Sequence, residues 1–238
     1  MNTKTLAYDI QLIRKDPMLL VITFVPVIFW LLLGFAFPLI ADFVSEKWGV
    51  SINEYFNYAF AFFMPIIPLL FGMVYGFILL DERDEGIIAA ISVTPYGKTG
   101  YLQTRMLFPV IYSFSAMVLF NYGLNNPVNL PIWKVAAISA ILATDAPIIL
   151  LFLGAYAKNK IEGMAITKLF NVLLIAILID FIVPTPFNWI GGLSPFFWVE
   201  RVMFAETNLQ FGLYYLAAVI SHAFYFLWMY RKFRIKSF

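Results

Sequence analysis

Five consecutive charges, Asp81-Glu82-Arg83-Asp84-Glu85, interrupt a strongly apolar chain directly after the hydrophobic run that ends at Leu79-Leu80. Gly86 follows, and then Ile87-Ile88-Ala89-Ala90-Ile91-Ser92-Val93-Thr94-Pro95. Carboxylates at a membrane exit give an integral protein a place to meet a soluble one. Acids near a helix start also complement the helix dipole and its free N–H groups. The three isoleucines, Ile87, Ile88 and Ile91, can share one helical face, and Pro95 and Gly97 end it. The pattern predicts a short helix with an apolar face, held between two membrane spans and able to act on both as a lever; the alternative is a capped inner loop whose acids simply stay in water.

Three further ionisable residues fall inside apolar runs: Asp145 and His222 near the middle of theirs, and Asp180 nearer the end of its own. Charges within a membrane are costly and are functional candidates. Asp145 and His222 lie at similar depth, given the helical rise of about 1.5 Å per residue. They can pair or line a shared polar cavity. The more economical local reading is a protonated Asp145 bonded to Thr144, or to a backbone carbonyl freed by Pro147.

Other chemistries fare poorly. A phosphate-binding loop needs Gly-x-x-x-x-Gly-Lys-Ser/Thr, and Gly97-Lys98-Thr99 has Ser92 where the first glycine belongs. Any ATP hydrolysis is therefore expected on a separate partner. With one histidine and no cysteine, thiolate metal sites, a His-Glu-x-x-His zinc site and a cysteine nucleophile are excluded, and no metal site is expected. Basic residues are spread over four segments, which disfavours nucleic-acid binding. No enzyme is expected on this chain.

The elements that must position these groups follow from composition. Of the 238 residues 62% are hydrophobic and only 13% charged, and the mean hydropathy is +0.84. A bilayer core of about 30 Å takes about 20 apolar residues per helix. Six spans result, near Met18–Ile40, Tyr58–Leu80, Met106–Leu124, Ile132–Tyr156, Ile166–Pro184 and Phe211–Tyr230. The fold class is an all-α polytopic membrane protein, with residues 1–238 as one transmembrane domain. The first segment exceeds a signal-peptide core and is read as a retained helix. With both termini inside, the inner segments hold Lys4, Arg14, Lys15, Arg83, Lys98, Arg105, Lys158, Lys160, Lys168, Arg231, Lys232, Arg234 and Lys236. Only Lys47, Lys134 and Arg201 remain outside, so the positive-inside rule places both termini in the cytoplasm.

Before the first span, Leu6, Ile10 and Ile13 recur at helical spacing while Lys4, Asp9, Gln11 and Arg14 lie off that stripe. A short interfacial helix, apolar side down, is predicted. The outer loops 41–57 and 125–131 are too short for a domain. The last outer segment, 185–210, carries Pro186, Trp189, Pro195, Phe196, Phe197, Trp198 and Phe204 among three charges. It reads as a re-entrant or interfacial segment rather than a free loop. Aromatic residues such as Phe60, Phe62, Phe63 and Phe71 read first as packing. Prolines recur within spans without singling out a mechanism, and no repeat relates the two halves.

Glu82-Arg83-Asp84-Glu85-Gly86, then Ile91-Ser92-Val93-Thr94-Pro95-Tyr96, then Tyr101 and Arg105, resembles the permease subunit of type-2 ABC exporters. Arg14-Lys15-Asp16-Pro17 before the first span and Ser194-Pro195 in the last outer segment fit the same pattern, as do the six spans. Arg105 stands where the family more often has lysine. The resemblance implies a half-transporter. Two such chains would enclose a pathway, as a homo- or heterodimer, and each would dock a soluble ATP-binding cassette subunit carrying ATP and Mg. Docking would use the N-terminal helix and the segment Asp81–Ile91. A hydrophobic drug or peptide is the expected cargo, and a prokaryotic cell (inner) membrane the expected location. The alternative from another class is a stand-alone secondary transporter or channel with Asp145 and His222 as a proton relay.

Overall fold

The computed structural model describes the backbone of residues 3–237, and side chains over residues 7–236 apart from Asp180. Among the described residues there are helices and turns and no strand. Six helical stretches are long and apolar enough to cross a membrane: Pro17–Trp48, Asn53–Asp84, Gly97–Gly123, Ile132–Tyr156, Lys160–Ile179 and Asn208–Lys236. The chain is therefore an all-helical, multi-pass membrane protein.

An N-terminal helix, α1 (Thr3–Lys15), leads into span 1, made of α2 (Pro17–Leu31) and α3 (Phe37–Trp48). Asp16 starts α2. Its Oδ1 accepts the N–H groups of Met18 at 2.8 Å and Leu19 at 3.2 Å, and Pro17 needs no donor at the first helical position. Between α2 and α3 lies a π-helical turn, Leu32–Ala36, closed by the Phe37 N–H on the Leu32 carbonyl. Pro38 cannot donate to residue 34 and crowds its carbonyl, and a widened turn relieves both problems. The helix continues to Trp48, where Gly49 in the left-handed region ends it. Most of the expected first outer loop is thus helical, leaving four residues, 49–52, before the next turn.

Span 2 joins α4 (Phe56–Phe63) and α5 (Ile66–Asp84). Helix α6 (Ile87–Ser92) follows, then span 3, α7 (Gly97–Gly123). Span 4 comprises α8 (Ile132–Ala143) and α9 (Asp145–Tyr156). Helices α10 (Lys160–Ile166) and α11 (Lys168–Ile182) form span 5, α12 (Pro195–Met203) the last inter-span segment, and α13 (Asn208–Ser237) span 6.

Spans 2 and 4 are the centre, with 72% of each apolar stretch buried, against 11% for span 1 and 17% for span 6. Their contact is close because Gly72 and Gly76 of α5 face α9. A Cβ at Gly72 would strike the Ala146 carbonyl, and one at Gly76 the Leu153 side chain. Small residues four apart are what lets membrane helices approach to backbone contact.

The aromatic segment before span 6 is packed rather than free. Phe196, Phe197, Val199, Val202 and Met203 of α12 are buried, and α12 lies against α11 and α13. Ser194 donates to the Leu173 carbonyl at 2.9 Å, and Tyr225 to the Leu193 carbonyl at 2.8 Å. The Arg201 guanidinium stacks over Trp189 at 4.2 Å and Phe197 at 4.7 Å.

Candidate functional site

The end of the bundle that carries both termini holds nearly all of the predicted charge cluster, but in a different arrangement. Asp81, Glu82, Arg83 and Asp84 form the last turn of α5, not the first turn of α6. Carboxylates at a helix C-terminus oppose its dipole, so cations must compensate, and each inward-facing acid has one. Glu82 is buried, accepts from the Tyr101 hydroxyl and pairs with Arg105. Arg105 holds Asp9 of α1 with its other terminal nitrogen, and that carboxylate is buried too. Arg105, Glu82 and Asp9 are at most 4% exposed. One guanidinium thereby ties α1, the end of span 2 and the start of span 3, and its planar fork suits two carboxylates at once.

Asp9, off the apolar stripe of α1, points into the protein, while Ile10 on that stripe is 48% exposed. The partner of Asp9 is Arg105, 96 positions away. Glu82 is likewise not a surface acid. Only Asp84 and Glu85 of the cluster are exposed.

Two more cations fasten this end. Lys160, at the start of span 5, sits 2.6 Å from both Asp16 Oδ2 and Asp81 Oδ2, joining the starts of spans 1 and 5 to the end of span 2. Burial raises the Asp16 carboxyl, but the Lys160 hydrogen bond and charge and the N–H groups of Leu19 and Met18 together hold it below the ordinary range. Arg83 donates to the carbonyls of Gly154 at 3.3 Å, Ala157 at 2.9 Å and Lys158 at 2.7 Å. It thus caps the C-terminus of α9 and clamps span 2 to span 4.

Helix α6 begins after Gly86, whose φ of 75° makes the reversal out of α5. Of the apolar face formed by Ile87, Ile88 and Ile91, Ile88 and Ile91 pack against the core. Ala89, Ala90, Ser92 and Val93 are exposed instead, Val93 at 87%. A six-residue helix hung between two rigid spans turns its larger side chains inward to anchor itself. The free face is left to small residues and Val93. Gly97 does not stop a helix but, at φ 62°, opens α7.

Within the membrane region, Asp145 Oδ2 and His222 Nε2 lie 3.4 Å apart, both side chains buried. Thr144 Oγ1, next to Asp145 in sequence, donates to the Ile141 carbonyl at 2.6 Å. His222 Nδ1 lies 2.8 Å from the Ala218 carbonyl. A carbonyl can only accept, so the ring carries a proton on Nδ1 and turns Nε2 toward the carboxylate. Asp145 opens α9 two residues before Pro147, and its side chain is buried. Asp180 lies on α11, and its side chain falls outside the described residues. No group of three or more metal-ligating side chains occurs among the described residues.

Sequence reasoning missed the Arg105–Asp9 pair and the Lys160 clasp. A weak signal existed: an aspartate alone in the first helix and a lysine at the start of a span both call for partners.

The model of the family described as fluoroquinolones export permease protein Rv2686c-like matches residues 9–230. Two curated proteins of Mycobacterium tuberculosis are similar to this chain: fluoroquinolones export permease protein Rv2686c of strain ATCC 25618 / H37Rv and its counterpart MT2760 of strain CDC 1551 / Oshkosh. Each is 25% identical over 238 residues, covering 96% of this chain and 92% of its own. No solved structure matches.

Proposed function

From the chain's membership of the Rv2686c-like family of export permeases, we propose that it is the membrane subunit of an ATP-driven exporter, moved by a separate ATP-binding cassette protein. Two copies, or this chain and a similar one, enclose the pathway, and both termini lie in the cytoplasm. The cargo is an amphiphilic drug, in keeping with the relatives' names. ATP and Mg belong to the partner.

The observation that carries this reading is the Asp9–Arg105–Glu82–Tyr101 network directly behind α6. A force on α6 cannot be absorbed locally, since the elements on either side of it are tied together by buried ion pairs. Breaking such pairs costs several kcal/mol, so α1, α5 and the start of α7 move as one block. The exposed Ala89, Ala90 and Val93 beside Asp84 and Glu85 offer an apolar patch with an acidic rim, a suitable seat for a cleft with basic edges.

Val93→Asp tests the docking surface. Because Val93 is 87% exposed, the variant should fold and purify like the parent yet lose most of the ATPase that co-purifies with a tagged parent chain. Undiminished co-purification would remove α6 from the interface. A second reading draws on the Asp145–His222 contact, which suits a proton relay in a transporter that needs no ATPase.

A further inference from the structure

We propose that the cleft between α1 and spans 1 to 3 holds one phospholipid with a primary-ammonium headgroup, phosphatidylethanolamine, whose ammonium meets the free carboxylate oxygen of Asp9. The cleft measures about 230 Å³. Asp9, Ile10 and Arg14 of α1 form one wall, and Phe71, Tyr75 and Tyr112 of spans 2 and 3 another. It straddles the membrane boundary. Helix α1 precedes span 1, whereas Thr23, also in the lining, lies roughly 9 Å into that span at a rise of about 1.5 Å per residue. Ile10 is exposed, and Phe71 and Tyr112 are half-buried, so the cleft is open along an apolar side.

Charge makes this more than an apolar cleft. Asp9 is only 1% exposed. Its Oδ1 is taken by Arg105, while Oδ2 is buried without a hydrogen-bond partner. Arg105 also serves Glu82, and among the described residues neither carboxylate has a second cation. Two buried carboxylates thus share one guanidinium, and a negative charge is left over. A buried charge without a counter-charge is costly. The Tyr75 hydroxyl near Asp9 also lacks a partner, but it is neutral, and a bond from it would leave the charge in place. Thr23 is committed to the Leu19 carbonyl at 2.8 Å. A ligand ammonium supplies both the donor and the positive charge. Tyr112 stacks with Phe71 at 6.2 Å and with Tyr75 at 6.3 Å, and such ring faces attract a cation. Arg14 stands exposed at the rim, suited to the phosphate next to the ammonium in this headgroup. A choline headgroup has no N–H to give Oδ2, and a glycerol headgroup has no positive charge. A divalent ion takes about six or more oxygen ligands, which an apolar cleft with one free carboxylate oxygen does not offer.

The test is native mass spectrometry of the full chain, delipidated in detergent and without any ATPase, so its outcome does not depend on the coupling reading above. Phosphatidylethanolamine, phosphatidylcholine and phosphatidylglycerol with identical acyl chains are titrated in turn. One phosphatidylethanolamine should bind per chain, at least tenfold more tightly than either of the others. Soluble glycerophosphoethanolamine, the same headgroup without chains, should not displace it at equal concentration. Asp9→Asn, whose amide oxygen can still accept from Arg105, should erase the preference among the three lipids. Because that change touches a buried ion pair, Ile10→Trp serves as the second variant. It fills the cleft from an exposed position, should leave the fold intact, and should weaken phosphatidylethanolamine binding at least tenfold. Equal retention of the three lipids, displacement by the chainless headgroup, a preference that survives in Asp9→Asn, or unchanged affinity in Ile10→Trp would each overturn the proposal.

Discussion

Arg105 ties three helices, α1, α5 and α7, at the end carrying the termini. Removing its charge leaves Glu82 and Asp9 buried with no cation between them. Loss of one partner of a buried ion pair costs about 3–5 kcal/mol. Arg105→Gln should therefore unfold well below the parent in a thermal melt. Adding Glu82→Gln to it should recover part of the loss, because the uncompensated charge is then gone; a double-mutant cycle reads this directly. Equal stability of parent and Arg105→Gln would mean the network carries no load. Arginine suits this position because its two terminal nitrogens, held in one planar fork, each take a separate carboxylate. None of this was legible in the sequence. Asp9 reads as a polar residue beside an apolar stripe, and only the long-range fold reveals that it faces inward. The acids were legible as a cluster, but which of them face solvent depends on whether α5 ends before or after Asp81.

At the scale of elements, the six spans and the short helix between spans 2 and 3 were legible, because hydrophobic length and proline–glycine punctuation are local signals. The boundaries were less so. Span 1 runs past Ile40 to Trp48 since Pro38 is absorbed by a π-turn instead of ending the helix. Span 3 starts at Gly97, nine residues before its apolar stretch, since Tyr101 and Arg105 are polar residues with buried partners. The closest helix contact, α5 on α9, was also unread, although Gly72-x-x-x-Gly76 is written plainly in the sequence. Gly72→Val would push a side chain into the Ala146 backbone, which cannot yield. Overpacking of this kind costs about 1–3 kcal/mol. The expected result is a lowered melting temperature for Gly72→Val, with a smaller drop for Gly76→Ala, whose neighbour is the flexible Leu153 side chain. An unchanged melt for Gly72→Val would show that spans 2 and 4 can separate freely.

For the whole molecule, the arrangement is a rigid centre of spans 2 and 4, clamped at one end by Arg83, Arg105 and Lys160, and surrounded by more exposed spans. Six spans were foreseen from composition, and the permease family from the junction motif. Which spans are central was not, because every span is apolar and periodicity cannot separate a lipid-facing surface from a helix-facing one. On the proposed reading the clamped terminal end moves as one body under a partner ATPase, while the Asp145–His222 pair lies apart from the clamps. The direct test is efflux of a fluoroquinolone such as ciprofloxacin from proteoliposomes under two regimes. One holds the chain alone with an imposed pH gradient; the other holds the chain with its co-purified ATPase and ATP, without a gradient. The account predicts efflux only in the second, abolished when hydrolysis is blocked with vanadate. Gradient-driven efflux by the chain alone, at a rate matching or exceeding the ATP-driven one, would contradict it.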